Sequence, residues 1–352
     1  MNLLALAVAA MSTSASADIA SELARCRTFD TQKERYDCYE QLAAPDDAAA
    51  AAVKPQHALA AVPPDATGLR KAAPASRWST DKIHALRPHK PNYVIFRQTT
   101  APNNNPFRNS NEFSPPGPGN LELDHNEMKF QLSIKAPLSD EIPMLGASLW
   151  FGYTQQSYWQ IWNATISRPF RESDYEPEVM LVWNPAARLS DKWTLNHIVG
   201  GFVHQSNGRG DPLSRSWNRI YAQFELRHSS GLEVIARPWL RVPESKASDN
   251  NIDITRYLGY GDLILSYRGR NVDTSLLVRN NLEARHNRSA FQLDMALTCL
   301  TIGQFVPKLQ VFVGPGESLI DYNHRQKGIG IGLEATGWFD HTFARPPRTC
   351  HG

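Results

Sequence analysis

The 352-residue chain reads as an all-β protein, a twelve-stranded antiparallel transmembrane β-barrel with a short N-terminal helical and linker extension. Three observations predict this class. Segments of strict apolar/polar alternation recur from about residue 90 onward, each followed by a turn or polar loop. The parity opposite the apolar one repeatedly carries charge (Lys129, Asp273, Asp294, Glu334), which a lumen of hydrogen-bonded polar side chains accommodates. An export-type leader and an aromatic load of 9 Trp and 11 Tyr suit interfacial girdles. A soluble β-sandwich with one solvated sheet face is the alternative that these patterns leave open.

Composition narrows the choices. Formal net charge is +2, which gives no sign of nucleic-acid binding. No apolar run approaches the roughly 20 residues of a membrane helix. Barrel strands need only about 9–11 residues each and keep one face polar, so a mean hydropathy of −0.43 is compatible with a membrane barrel.

In chain order, residues 3–11 form a short apolar core, and Ala15-Ser-Ala17 supplies a small-x-small cleavage site, so 1–17 is expected to be a signal peptide. The stretch lacks the basic start of that pattern. Residues 18–44 look helical and polar, and Cys26 and Cys38 bracket a charged helical segment where export permits a helical-hairpin disulfide. Cys299 and Cys350 are left without an assigned pairing, and no Cys/His spacing suggests zinc. Residues 45–76, rich in Ala and Pro, read as a flexible linker, so 18–88 is expected to be a periplasmic extension. The barrel is expected over 89–340, with a tail at 341–352.

Five barrel strands are regular. Met128, Phe130, Leu132 and Ile134 alternate with Lys129, Gln131, Ser133 and Lys135. The same rhythm marks 272–279, 291–298, 308–313 and 329–336. Less regular runs near 91–100, 146–162, 175–184, 193–206, 217–228, 232–243 and 257–268 bring the count to about twelve. An even count is typical of bacterial outer-membrane barrels.

The stretch richest in chemistry is His204-Gln-Ser206-Asn-Gly208-Arg209-Gly-Asp-Pro-Leu-Ser214-Arg-Ser-Trp-Asn218-Arg. Residues i and i+2 of a strand share a face, so His204 and Ser206 stand side by side. A reversal at the polar turn brings Asn218 onto the neighbouring strand. Serine beside histidine, with a third polar group to hold the imidazole, is the logic of an activated nucleophile. Ile198 and Phe202 share parity with His204, and Ile220, Ala222, Phe224 and Leu226 share it with Asn218. The three groups therefore end an apolar face, which a soluble enzyme would bury and a membrane barrel would turn to lipid.

On these residues the chain resembles the outer-membrane phospholipase A family, the calcium-dependent lipid hydrolases of Gram-negative outer membranes. The resemblance covers about residues 90–339. Its anchor is His204-x-Ser206-Asn-Gly-Arg-x-Asp-Pro-x-Ser214-Arg-Ser-Trp-Asn218-Arg. Supporting stretches are Tyr153-Thr-Gln155-Gln-Ser-Tyr-Trp-Gln, Pro169-Phe-Arg-Glu-Ser-Asp-Tyr-Glu-Pro177, Asp253-Ile-Thr-Arg-Tyr-Leu-Gly-Tyr and Gly316-Glu-Ser-Leu-Ile-Asp-Tyr-Asn323.

The resemblance implies a twelve-stranded barrel with a Ser-His-Asn triad on its outer wall, level with the outer leaflet. It makes Ser206 the nucleophile, His204 the general base, Asn218 the imidazole orienter and the Gly208 amide an oxyanion donor. It implies Ca2+ held by the backbone carbonyl of Arg209 together with Ser214, with Ser167 contributed by a second subunit. The turn supplies the oxygen ligands calcium favours, although Arg168 sets a cation beside Ser167. A family acidic residue of a further calcium site falls at or near Asn250, which leaves Asp249 as the candidate ligand there. The resemblance further implies activity in the homodimer, with Gln155 bonding across the interface, whereas the residues alone also allow a lumen-facing Gln155. Its substrates are phospholipids, cleaved at both acyl esters, and lysolipids. A non-catalytic porin- or adhesin-like barrel would conduct without hydrolysing. A soluble secreted esterase would be extracted without detergent.

Overall fold

The computed structural model describes residues 25, 26, 28, 38, 78–80, 83–109 and 119–335. The chain divides into two compact units, Met1–Lys71 and Ala72–Gly352. In the first, Cys26 and Cys38 form the expected disulfide, with Cα atoms 5.6 Å apart. The expected signal peptide, the whole of the 45–76 linker and the tail lie outside the described residues. So does Cys350, whereas Cys299 is disulfide-bonded.

The second unit is a single antiparallel sheet closed on itself. Its strands are β1 (Arg87–Pro88), β2 (Asn92–Thr99), β3 (Asn126–Ile142), β4 (Ala147–Trp159), β5 (Phe170–Trp183), β6 (Ala187–Arg188) and β7 (Trp193–Ser206). They continue with β8 (Ser216–His228), β9 (Leu232–Val242), β10 (Gly261–Arg268), β11 (Val272–Asn280), β12 (Ser289–Leu297), β13 (Phe305–Pro315) and β14 (Arg325–Ala335). The two-residue pieces β1 and β6 only flank β3 and β7. The other twelve form the ring: β3 pairs with both β2 and β4, and β14 pairs back onto β2. Closure removes the exposed edges an open sheet would present.

The alternation seen in the sequence sorts into wall and lumen. Outward positions are apolar and exposed: Val94, Phe96, Phe151, Val179, Phe202, Ile220, Leu240, Phe291, Ile329 and Ile331. Inward positions are polar and buried, among them Arg97, Glu127, Lys129, Glu178, Arg219, Glu225, Asp262 and Lys308. This is a core turned inside out, the expected solution when hydrocarbon is the solvent. Inside, Arg97 pairs with Glu127 (2.7 Å) and with Glu317, and Arg171 joins Glu127 (2.9 Å) to Asp321 (2.8 Å). Farther round the ring, Asp262 takes both Arg237 and Arg279 at 2.8 Å.

Trp78 also enters the lumen. It is 2% exposed, donates from Nε1 to Glu225 (3.1 Å), and lies under the Lys135 ammonium at 3.3 Å. Aromatic groups mark both ends of the wall. Trp159 stacks on Phe170 and Phe96 tilts against Trp162 at one end, and Trp193 packs on His228 at the other.

Two sequence expectations need correction. The strand expected over 257–268 starts only at Gly261, and Thr255–Leu258 form a single helical turn, α1. Ile254 and Leu258, four apart, share one helix face and are both buried, so helical spacing wins over alternation there. Strand β5 starts at Phe170 rather than near 175, because Glu172 and Asp174 point into the polar lumen and read as loop only when the lumen is ignored.

Candidate active site

The site grows from the β7–β8 hairpin. Its register sets His204 opposite Asn218 and Ser206 opposite Ser216. His204 and Ser206 share the outward parity of Phe202, and Asn218 that of Ile220, with these two apolar side chains 46% and 57% exposed. All three polar residues are half-buried on the wall of the barrel.

His204 Nδ1 lies 2.8 Å from Asn218 Oδ1. On the other side of the amide, Asn218 Nδ2 donates to Glu244 Oε1 at 3.4 Å. A carboxylate only accepts, so the amide NH2 faces Glu244 and the amide oxygen faces the ring. His204 then carries its hydrogen on Nδ1 and keeps the Nε2 lone pair, the tautomer a general base needs. Ser206 Oγ shares the face with His204, and no hydrogen bond joins the two.

The turn after Ser206 is built by side chains. Asn207 Oδ1 accepts from the amides of Arg209 (3.4 Å) and Arg215 (3.0 Å), and its Nδ2 donates to Leu213 O and Glu172. Buried Arg215 donates to the carbonyls of Pro212, Ser214 and Pro106. The Arg209 guanidinium donates to the carbonyls of Phe170 and Arg171 and pairs with Glu172. Gly208 has φ +64°, a left-handed backbone that favours glycine, and a Cβ there would come within 3.1 Å of the Tyr175 ring.

The remaining expected site residues are placed as follows. Ser214 is half-buried in this turn, its hydroxyl and the Arg209 carbonyl both belonging to the loop held by Asn207 and Arg215. Ser167 is exposed in a separate loop between β4 and β5, and no hydrogen bond links it to the 207–215 turn. Ser167 and Arg168 both adopt left-handed backbone, with φ +63° and +53°, which is strained for two consecutive residues bearing a Cβ. Asp249 is buried, and its Oδ1 accepts from Arg241 Nη2 (2.6 Å) and the Asn251 amide (3.0 Å). Its visible role is thus to staple the loop after β9. Gln155 shares parity with exposed Phe151, so it faces outward rather than into the lumen. Its amide donates to Ser157 Oγ (3.1 Å) and accepts from Tyr153 OH (3.3 Å).

Among the described residues no three His, Cys, Asp or Glu side chains gather to hold a metal. Oxygen donors of the 207–215 turn, carbonyl and hydroxyl, suit a hard cation such as calcium and not a soft one.

Glu244 is the group sequence reasoning missed. A signal was present: Val242 pairs with Asn218, and Glu244 continues the same parity past the end of β9. Burial and the neighbouring Asp249 carboxylate push the Glu244 carboxyl above its ordinary value, against the pull of Arg241, Asn218 and His204.

Comparison with known proteins gives concordant matches. The family profile described as Phospholipase A1 matches residues 69–335. A putative phospholipase A1 of Neisseria meningitidis serogroup B is 43% identical over 209 residues, which is 59% of this chain and 54% of that protein, so the chain spans about half that relative's length. Phospholipase A1 of Escherichia coli K12 is 35% identical over 253 residues, covering 72% of this chain and 82% of that one. Among solved structures, the Salmonella typhi outer membrane phospholipase, a dimer with bound calcium, aligns with a TM-score of 0.62 and 32% identity, covering 71% of this chain and 92% of that one.

Proposed function

The chain belongs to the phospholipase A1 family, and from that premise we propose that it is a calcium-dependent hydrolase of phospholipid acyl esters, resident in an outer membrane and active as a homodimer. The observation that carries the reading is the 2.8 Å contact of His204 with Asn218, on the lipid-facing wall beside Ser206. A nucleophile aimed at hydrocarbon suits a substrate whose acyl chains lie along the barrel.

The Ser206 hydroxyl attacks the ester carbonyl while His204 Nε2 takes its proton. Asn218 fixes the ring, and the Gly208 amide donates to the oxyanion of the tetrahedral intermediate. The intermediate collapses as the ester C–O bond breaks, and His204 returns the proton to the departing alcohol oxygen of the lysolipid. Water, deprotonated by His204, then attacks the acyl-serine; the bond from the acyl carbon to Ser206 Oγ breaks, His204 returns the proton to Oγ, and the fatty acid leaves. Calcium, when bound, supplies positive charge beside the developing oxyanion. The Arg209 carbonyl and Ser214 would hold it, completed by the partner's Ser167.

The test is fatty-acid release from phospholipid in mixed micelles, run with wild type, Ser206→Ala and a chelated control. Loss of release in both altered samples is expected. Release that survives Ser206→Ala would sink the triad assignment.

A further inference from the structure

A neutral asparagine can orient an imidazole but brings no charge to steady the imidazolium formed when histidine takes a proton. The loop after β9 holds a carboxylate one hydrogen bond farther back. We propose that Glu244 is a positioning residue that acts through Asn218, completing a relay Ser206–His204–Asn218–Glu244; this deepens the proposed function and rests on it.

Geometry supports the assignment at three points. Glu244 Oε1 is the acceptor for Asn218 Nδ2, at 3.4 Å, on the side of the amide opposite His204. A reversed amide would face NH2 to His204 Nδ1 and oxygen to the carboxylate, so the glutamate selects the orientation that serves catalysis. The side chain is carried on the second residue beyond β9, whose last residue, Val242, pairs with Asn218 itself.

The loop that bears it is held. Arg241 donates to the carbonyls of Asn251 (3.3 Å) and Ile252 (3.1 Å) and to Asp249, while the amides of Ser248 and Asp249 close a turn on Ser245 O. Asn251 Oδ1 then accepts from the amide of Ser216 at the start of β8.

The charged and titratable groups facing Glu244 are Asp249 and Arg241 from the loop and β9, and His204 from β7. Arg241 is engaged with Asp249, so the carboxylate of Glu244 remains the anion directed at the catalytic pair. One amide separates its carboxylate from the His204 ring.

The full-length protein in phospholipid mixed micelles with calcium is the test system. Glu244→Gln keeps the shape and removes the charge. Turnover would be followed across about pH 5–9, where an imidazole titrates. The expected result is kcat lowered roughly 3- to 10-fold with KM unchanged, and an acid limb displaced to lower pH because the imidazolium has lost its anion. In an Asn218→Ala background, Glu244→Gln should add no further loss, since the relay is already cut. Coincident kcat and acid limb in Glu244→Gln and wild type would overturn the assignment. So would an undiminished effect in the Asn218→Ala background, which would make Glu244 act by another route. Failure of the wider reading looks different: Ser206→Ala would then retain activity whatever stands at 244.

Discussion

Gly208 shows how one residue joins backbone conformation to chemistry. Its positive φ is a conformation only glycine takes without cost, and on the proposed function its amide N–H is the oxyanion donor. Gly208→Ala meets both the backbone penalty, about 1–2 kcal/mol, and the Tyr175 ring. With the donor displaced, kcat should fall by about two orders of magnitude while the barrel still folds, checked by steady-state kinetics beside heat-modified gel mobility. Glu244 makes the opposite kind of prediction. Its carboxyl is held above its ordinary value by burial, so its charged form opposes folding, and stability drops as pH rises through that folded value. Glu244→Gln should therefore lose no thermal stability at pH 7 and gain relative to wild type as pH rises out of the carboxylate range. A residue retained for structure alone would show a loss of melting temperature instead.

Strands set how much a substitution on the wall matters. Val179 sits mid-strand in β5 and Leu240 near the loop end of β9, both outward and exposed. Val179→Arg should cost about 2–4 kcal/mol of folding into vesicles and Leu240→Arg about 0–1, measured by urea titration in lipid. On β4 the polar outward run Tyr153, Gln155 and Ser157 interrupts the apolar wall, and Ser157 meets Ser173 at 2.9 Å. Gln155→Ala should weaken dimerisation in detergent with calcium by about 0.6–2 kcal/mol, read by sedimentation equilibrium. Strand period was legible in the sequence: it gave the span Trp193–Ser206 and the pairing of His204 with Asn218. It failed where period two stops. The turn at Thr255–Leu258 has helical spacing, and Glu244 lies in a loop whose path depends on Arg241 reaching Asp249.

The interior of the whole barrel was the least legible part, because its partners are remote in sequence. Arg97 meets Glu317 across 220 positions, and Arg171 meets Asp321 across 150. Composition could announce a polar lumen but not which charge faces which. Glu127→Ala would leave Arg97 and Arg171 short of an anion, at about 3–5 kcal/mol of stability in urea unfolding. The same ion pairs are buried and crowd the lumen, with Trp78 lodged under Lys135. Planar bilayers containing the protein should therefore show no conductance steps. The outer wall carries a different consequence. On the proposed function, a hydroxyl that opens onto hydrocarbon meets its reactant by diffusion within the membrane and not from solution. Starving such an enzyme is impossible while the membrane exists, and each turnover erodes the medium that houses it. On the proposed reading, restraint resides in the assembly of the site from two copies, so copy number per unit area of membrane becomes the throttle.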